Sequence, residues 1–544
     1  MIREYVEDLR KEFAGYNAGK FTKDALAGIT VAAVALPLAL AFGVASGMDA
    51  ASGLITAILA AVIIGTFSGA SYQISGPTGA MAAILIPLAS KYGVKTVLVA
   101  GVLSGVFLIL AGMLKAGRVI AFLPKPIITG FTSGIALIIA LGQVENFLGV
   151  SSHGEETLSK VINIFKDGLS PNIYAVGIGL FVIVLMMLWP KKWGAKVPAS
   201  LVSIILMIGA QMMFKFPVQM VGEIPQTLIH NLRLVPNDFF GVRWDVVLMP
   251  AISIAALGMI ESLLCGAVAG KMSGEKLKND RELVAQGIGN VILPFFGGVP
   301  ATAAIARTSV AIKSGAKTRM TGWIQGLVLL LSMFLLSPFM SQIPMAALAG
   351  VLMVTAWRMN EWESIRYIFS HRFKQAIVKF SVTLVCTVLF DLTVAIAVGC
   401  FIAMFLFVVR ASNVEVSISD VDPSRIKFKE GELPTDVQVI YITGPIFFGT
   451  AESFANQIKD ANSKHLILSM RGVANIDTSG VQEILTFCQE TRANGGSVYF
   501  SGVQQKVKTF LERGEVSKVV GGDAFFWDAS EALQALAKRA IQNI

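Results

Sequence analysis

Two short stretches join residues that helices avoid with hydroxyls that could hold a ligand: "SGPTGAMAAI", residues 75–84, and "GGVPATAAIA", residues 297–306. Each lies in an apolar region and reads as a helix that begins inside the apolar layer, over 76–90 and 300–315. A helix start leaves backbone N–H groups without intrahelical partners. It also carries the positive end of the helix dipole, and in hydrocarbon its free donors are costly unless something accepts from them. Two such starts facing each other form an anion site that needs no formal positive charge. Gly76 and Gly79 let backbone approach a ligand, and Pro77 suits a first helical turn, where its missing N–H costs nothing. Ser75, Thr78 and Thr302 either cap the helices or bind ligand oxygens. Pro300, Ala301 and Ala303 complete the second half of the candidate site.

Glu261 stands in "ALGMIESLLCG", near the middle of another apolar run. A carboxylate there is expensive and marks a functional position. Its negative charge would repel a neighbouring anion unless a cation or proton neutralised it, so Glu261 is a candidate for coupling to H⁺ or Na⁺. For Na⁺, Ser262 and Thr302 would add oxygen ligands. Arg307 either draws in the anion or pairs structurally with Glu261. Asn279, Glu282, Gln286 and Asn290 read as a cap and as interhelical hydrogen bonds.

These residues need a membrane frame, and the composition supplies it. Of 544 residues 54% are hydrophobic and only 15% charged, with mean hydropathy +0.67, which is unlike a soluble globular chain. Apolar runs predict about fourteen helices at 24–48, 52–69, 76–90, 95–114, 119–142, 171–190, 198–216, 248–271, 283–297, 300–315, 320–338, 343–357, 372–389 and 390–410. The third and tenth would reach roughly 23 Å at ~1.5 Å per residue, short of the ~30 Å hydrocarbon core. The two broken stretches lie about 223 residues apart, and the first and eighth helices repeat nearly that offset. Seven helices precede the second copy, so the copies have opposite topology, the sequence signature of a transporter site. Lys and Arg crowd "KAGR", "KKWGAK", "KMSGEKLKNDR", "IKSGAKTR" and "WRMNEWESIRYIFSHRFK", all on one side of that arrangement. The positive-inside rule makes that side, and both termini, cytoplasmic. It also accounts for the net charge of +9 without nucleic acid. Residues 1–23 read as a cytoplasmic, interfacial segment rather than a cleaved signal.

The four cysteines and four histidines are scattered, which suggests neither a disulfide framework nor a metal site. No triad or P-loop points to an enzyme or an ATP-driven pump. The expected domains are therefore a transmembrane unit at 24–410, a polar linker at 411–434 and a small α/β domain at 435–544. In the last, "VQVIYITG", "HLILSM" and "SVYFSG" alternate with amphipathic helices.

The chain resembles bacterial members of the sulfate permease (solute carrier 26) family of anion transporters. The resemblance rests on "DALAGITVAAVALPLALAFG", "ISGPTGAM", "NDRELVAQGIGN", "GGVPATAAIARTS" and, in a C-terminal STAS domain, "NIDTSGVQEI". It implies seven plus seven inverted helices in core and gate domains, a homodimer in the inner membrane, and an elevator-like movement of the core. Substrate would lie between helices one, three, eight and ten, which adds Pro37 and Phe42 to the lining set. Many family members carry Pro-Gln and then Ala-Tyr-Ala in the first helix, whereas here Leu38 follows Pro37 and Phe42 replaces the aromatic hydroxyl. That less polar lining opens the choice among sulfate, bicarbonate and a dicarboxylate. Resemblance to anti-sigma-factor antagonists makes Ser479 a candidate phosphorylation site. Spacing alone makes Ser479 and Gln482 a capping box, and the STAS domain could bind a cytoplasmic partner. The expected function is secondary active transport of a small anion with no cofactor beyond a coupling Na⁺ or H⁺. The alternatives are a nucleobase permease on the same fold and a STAS-led regulatory or scaffold protein.

Overall fold

The computed structural model describes residues 2–118, 124–152, 157–166, 168, 170–190, 197–390, 392–421 and 436–542. The chain divides into two compact units, Met1–Cys400 and Phe401–Ile544. The expected linker at 411–434 falls largely outside the described residues, as do the loop 191–196 and the start proposed at 119.

A short helix, α1 (Ile2–Glu12), leads into a first set of helices. These are α2 (Ala18–Ala45), α3 (Ala50–Phe67), α4 (Gly79–Tyr92), α5 (Val94–Met113), α6 (Lys125–Gly142), the short α7 (Val144–Leu148) and α8 (Thr157–Lys166), α9 (Ile173–Leu188) and α10 (Ala199–Phe214). The second set is α11 (Trp244–Ser273), α12 (Asn279–Ile292), α13 (Ile305–Lys313), α14 (Met320–Met340), α15 (Met345–Met359), the short α16 (Trp362–Ser370), α17 (Lys374–Leu389) and α18 (Leu392–Ala411). Leaving aside α1, α7, α8 and α16, this gives seven and seven. Among the described residues six helices are long and apolar enough to cross a membrane, and five shorter ones are apolar.

The packing repeats with the sequence. The fourth membrane helix of the first set, α5, lies against α11 and α12, and its counterpart α14 lies against α2 and α3. Likewise α6 packs on α17 while α15 packs on α9, and α13 touches α2 while α11 touches α4. Exchanging the halves maps each pair onto another, as inverted repeats require. The first four helices of each set thus form one layer, and the later ones pack among themselves. Small residues make this possible: a Cβ on Gly105 of α5 would lie 2.7 Å from the Gly287 carbonyl oxygen of α12.

The amphipathic N-terminus is fastened to the helices that follow it. Tyr5 donates its hydroxyl to the Thr66 carbonyl at 2.8 Å. Glu12 takes the Arg319 guanidinium through Nε and Nη2 at 2.9 and 2.8 Å, and Asp8 pairs with Lys278 and Arg281. Burial pushes the Asp8 carboxyl up, but hydrogen bonds from Lys278 and Arg281 outweigh it and hold the group below its ordinary value. The first membrane helix also begins at Ala18, with Asn17 as its cap. The buried Asp24 then accepts from Lys317 and Thr318 backbone N–H groups and from the Thr318 and Thr321 hydroxyls, which fixes α2 to the start of α14.

The C-terminal unit is a five-stranded sheet in the order β3 (Glu415–Asp420), β4 (Val437–Thr443), β5 (His465–Gly472), β6 (Ser497–Ser501) and β7 (Phe525–Phe526). The edge pair β3–β4 is antiparallel and the rest are parallel. Helices α19 (Ala451–Ile458), α20 (Thr478–Ala493), α21 (Gln505–Arg513) and α22 (Val516–Val520) bury Phe454, Ile484, Leu511 and Val516 on one face. Helix α23 (Ala529–Gln542) packs Leu533 and Leu536 on the other, against Val439, Ile467 and Tyr499.

Candidate functional site

Between α3 and α4 the chain runs unwound from Ser68 to Thr78, and every residue of it is buried. Irregular backbone at such a place survives only if its polar groups are met from within the protein. Here α12 meets them. Glu282, fully buried, accepts from the Ser68 hydroxyl at 2.6 Å, the Gly69 N–H at 2.8 Å, and the side-chain amides of Gln73 and Gln286 at 3.1 and 2.8 Å. Gln286 also donates to the Ser75 hydroxyl at 2.8 Å. One helical step further on the same face, Asn290 holds the other unwound stretch, donating to the Ala301 carbonyl at 3.0 Å and accepting its N–H at 2.7 Å. The i, i+4, i+8 spacing of 282, 286 and 290 puts one polar stripe against both breaks. The interhelical hydrogen bonds expected of Glu282, Gln286 and Asn290 form, but the expected cap does not. Asn279 donates to the Gly117 carbonyl rather than capping its helix, whose N-cap is Lys278.

Neither broken helix begins where a proline and glycine pattern suggests. The two stretches first pair with each other as short antiparallel strands, β1 (Ser75–Gly76) and β2 (Thr302–Ala303), with Ser75 opposite Ala303 and Gly76 opposite Thr302. The helices follow at Gly79 and Ile305, three and five residues later than expected. Pro77 therefore precedes the N-cap, Thr78, instead of occupying the first turn. Pro300 lies in the lead-in, against α5, where a Cβ on Gly101 would come 3.0 Å from its Cγ.

Helix α11 then ties to both stretches through two successive residues. Glu261 accepts the Thr78 hydroxyl at 3.0 Å. Ser262 shares a hydrogen bond of 2.8 Å with the Thr302 hydroxyl and accepts the Ala303 N–H at 3.3 Å. Thr302 is thus a strand residue bound to α11, and the N-cap of α13 is Ala304, which has no side chain to offer. Thr78 does cap, accepting from the Met81 N–H at 3.4 Å.

Arg307 is buried, and its Nη2 donates to the Pro77 carbonyl at 2.7 Å while Nη1 has no hydrogen-bond partner. No ion pair within 4.0 Å joins it to Glu261 among the described residues, so the alternative of a direct structural pair is not what forms. Glycine leaves room where these groups converge. A Cβ at Gly76 would lie 2.4 Å from Arg307 Nη1, and one at Gly79 would lie 2.4 Å from Ile139 Cδ1 and 3.0 Å from Phe42 Cε1. Phe42 of α2 therefore does reach the start of α4. Pro37 sits buried in the same helix, which runs on through it, and its missing N–H leaves the Ala33 carbonyl without its usual donor.

The sequence reading passed over Thr308, whose hydroxyl accepts the Ile74 N–H at 3.0 Å, and Cys265, which donates to Thr308 at 3.4 Å. Their signal was only position: Thr308 directly follows Arg307, and Cys265 lies one turn past Glu261. In the C-terminal unit the capping residue at "NIDTSG" is Asp477, which accepts from the Gly480 N–H at 3.0 Å. The Ser479–Gln482 capping box does not form, and Ser479 stands half-buried in the first turn of α20.

The chain as a whole has recognisable relatives. Residues 21–382 match the profile of the Sulfate permease family, and residues 430–532 that of the STAS domain. The putative sulfate transporter YvdB of Bacillus subtilis is 35% identical over 529 residues, covering 94% of this chain and 97% of that one. The bicarbonate transporter BicA of a Picosynechococcus species is 29% identical over 535 residues, covering 94% of each. In fold, the murine Solute Carrier 26 family member A9 anion transporter in its inward-facing state superposes with a TM-score of 0.82 at 18% identity, over 95% of this chain and 91% of that one. The chain is a member of the sulfate permease family.

Proposed function

We propose that this protein is a secondary active transporter that carries a small oxyanion or carboxylate across the inner membrane, with the basic loops and both termini cytoplasmic. The anion would bind between the starts of α4 and α13. Transport would move the layer formed by the first four membrane helices of each set against the later helices, in the manner of an elevator. The single observation that carries this reading is the buried Arg307 nitrogen without a partner, beside two helix starts that meet across β1 and β2. A buried donor of that kind is costly unless a ligand completes it. The relatives named above make sulfate and bicarbonate the first anions to test, and a dicarboxylate the next.

Coupling would run through Glu261. Its oxygen already accepts from Thr78, which caps the first of the two helices, so its charge bears directly on the site. A cation or proton there would raise anion affinity, and the anion would raise cation affinity by the same factor. The experiment is uptake in proteoliposomes of sulfate, bicarbonate, succinate, fumarate and chloride, each under imposed Na⁺ and H⁺ gradients, for the natural protein and Glu261→Gln. The Gln variant should still bind anion but lose its dependence on the gradient. If it keeps the original pH and Na⁺ dependence, Glu261 is a structural partner of Thr78 and coupling lies elsewhere. A membrane part that served only as an anchor for the STAS domain would have no use for these buried polar groups.

A further inference from the structure

The C-terminal unit contains a second place where polar groups are buried without use. Strands β4, β5 and β6 are parallel and in register, so that Val439, Ile467 and Tyr499 form one row and Tyr441, Ser469 and Ser501 form the next row on the same face. The first row is apolar and covered by α23. The second lies one pleat on, toward the carboxyl ends of the strands and the start of α23, and there two central strands carry serines instead of core residues. Ser501 is 1% exposed, and its Oγ has no hydrogen-bond partner. A buried hydroxyl left in that state is unfavourable.

Ser469 and Ser501 line a cavity of about 520 Å³ together with Arg471, Trp527 and Ser530. The Arg471 side chain is exposed and its guanidinium enters none of the ion pairs among the described residues. The first turn of α23 borders the same cavity. Asp528 caps it by accepting from the Glu531 N–H at 2.9 Å, and Glu531 accepts from the Trp527 N–H at 3.1 Å. Both carboxylates are thereby engaged, while the N–H groups of Ala529 and Ser530 remain free, as first-turn donors do. The carboxyl edge of parallel strands is where open α/β sheets bind their ligands. A hydroxyl pair, a guanidinium and two backbone donors together suit an acceptor-only, negatively charged group.

We infer that this edge is a second oxyanion site, separate from the membrane one: a sulfate, bicarbonate or phosphate group, free or as the terminal group of a small ester, accepts from Ser469, Ser501 and Arg471. The site stands whether or not the membrane unit transports anions. The test is hydrogen–deuterium exchange on the full-length protein in detergent, with sodium sulfate, sodium bicarbonate, inorganic phosphate or glycerol 3-phosphate, and sodium chloride at matched ionic strength as control. Exchange should slow at least threefold in peptides covering 469–472, 501–504 and 527–531 with an oxyanion but not with chloride. Arg471→Ala, at an exposed position, should abolish the effect. Ser501→Ala, which removes the unpaired hydroxyl and adds no bulk to the buried position, should weaken it at least fivefold. Protection by the inorganic anions identifies the free ion as ligand, and protection by the ester alone identifies the terminal group. Absence of protection with every oxyanion, an equal effect of chloride, or protection that persists in Arg471→Ala would each overturn the assignment.

Discussion

The two broken helices share a backbone plan and differ in chemistry. Both leave a strand pair of two residues, and both are held by the α12 stripe and by adjacent residues of α11. At α4, however, the start is buried and capped by a hydroxyl: Gly79 and Ala80 are buried, and Thr78 accepts from Met81. At α13 the start is open and uncapped. Ile305 is 39% exposed, Ala306 is exposed, and Ala304 offers no side-chain acceptor. The symmetry of the repeat therefore supplies two positive helix ends, but only one keeps its full set of donors free and accessible. The difference assigns the ends separate tasks under the proposed function: α13 faces the anion, while α4 links it to Glu261.

The largest expected effect tests the shared plan. Glu282→Ala would strip the acceptor from four donors that hold the first stretch, and Asn290→Ala would free one donor and one acceptor of the second. At ~1–3 kcal/mol for a buried group left unpaired, partial relaxation leaves about 4 kcal/mol lost for Glu282→Ala and about 2 kcal/mol for Asn290→Ala, read from thermal unfolding in detergent. Equal losses would mean that α12 supports the two breaks alike and that the asymmetry begins only at the helix starts.

A smaller effect separates the two threonines. Thr78→Val removes a cap worth ~1 kcal/mol and the hydroxyl that Glu261 accepts, so stability should fall by about 2 kcal/mol and anion affinity by at least tenfold. Thr302→Val leaves Ser262 without its partner, costing about 1 kcal/mol, with anion affinity changed less than threefold. Isothermal titration with sulfate and bicarbonate on both variants decides. If Thr302→Val is the more damaging to affinity, Thr302 binds the anion directly and Thr78 serves only as a cap and a partner of Glu261.

Much of this was legible in the residues, and the shortfall has a physical cause. Fourteen membrane helices follow from apolar runs because span length is set by the bilayer. The sheet of the C-terminal unit follows from the alternation in "VQVIYITG", "HLILSM" and "SVYFSG", a period set by the pleat. Gly76 and Gly79 follow from the same local logic as places of close backbone approach, and what approaches them in the structure is the Arg307 side chain at one and Ile139 and Phe42 at the other. The helix starts do not follow from it, because the β1–β2 pairing joins Ser75 to Ala303 and Gly76 to Thr302, far apart in the chain, and no local signal announces a partner so distant. Counting from proline and glycine therefore placed α13 five residues early, and of the two roles open to Thr302 the cap does not form, since it is a strand residue. Asp477 rather than Ser479 caps α20 for a simpler reason: Asp and Ser are equally good caps, and composition alone does not choose between neighbours. The clamp of α1 by Arg319 and Arg281 was likewise hidden, since its partners lie some 270 to 300 residues away.

The smallest expected effect is also the most direct on the difference between the two ends. Ala304 already has the extended backbone of an N-cap, with φ −109° and ψ 114°, and lacks only an acceptor. Ala304→Ser would supply one, and its hydroxyl would accept from the N–H of Ala306 or Arg307 as Thr78 does at the other end. A Ser in place of Ala at this position stabilises by ~1 kcal/mol, so unfolding should shift upward by that amount. The same donor would then be occupied when the anion arrives. Displacing the hydroxyl costs the anion about what the cap gained, and ~1 kcal/mol corresponds to roughly fivefold in affinity. A more stable protein with weaker anion binding is thus the expected pair of outcomes, measured by thermal unfolding and titration on one preparation. Stability gained with affinity unchanged would show that the anion does not use the start of α13, and the open end would then be only a gap in the repeat.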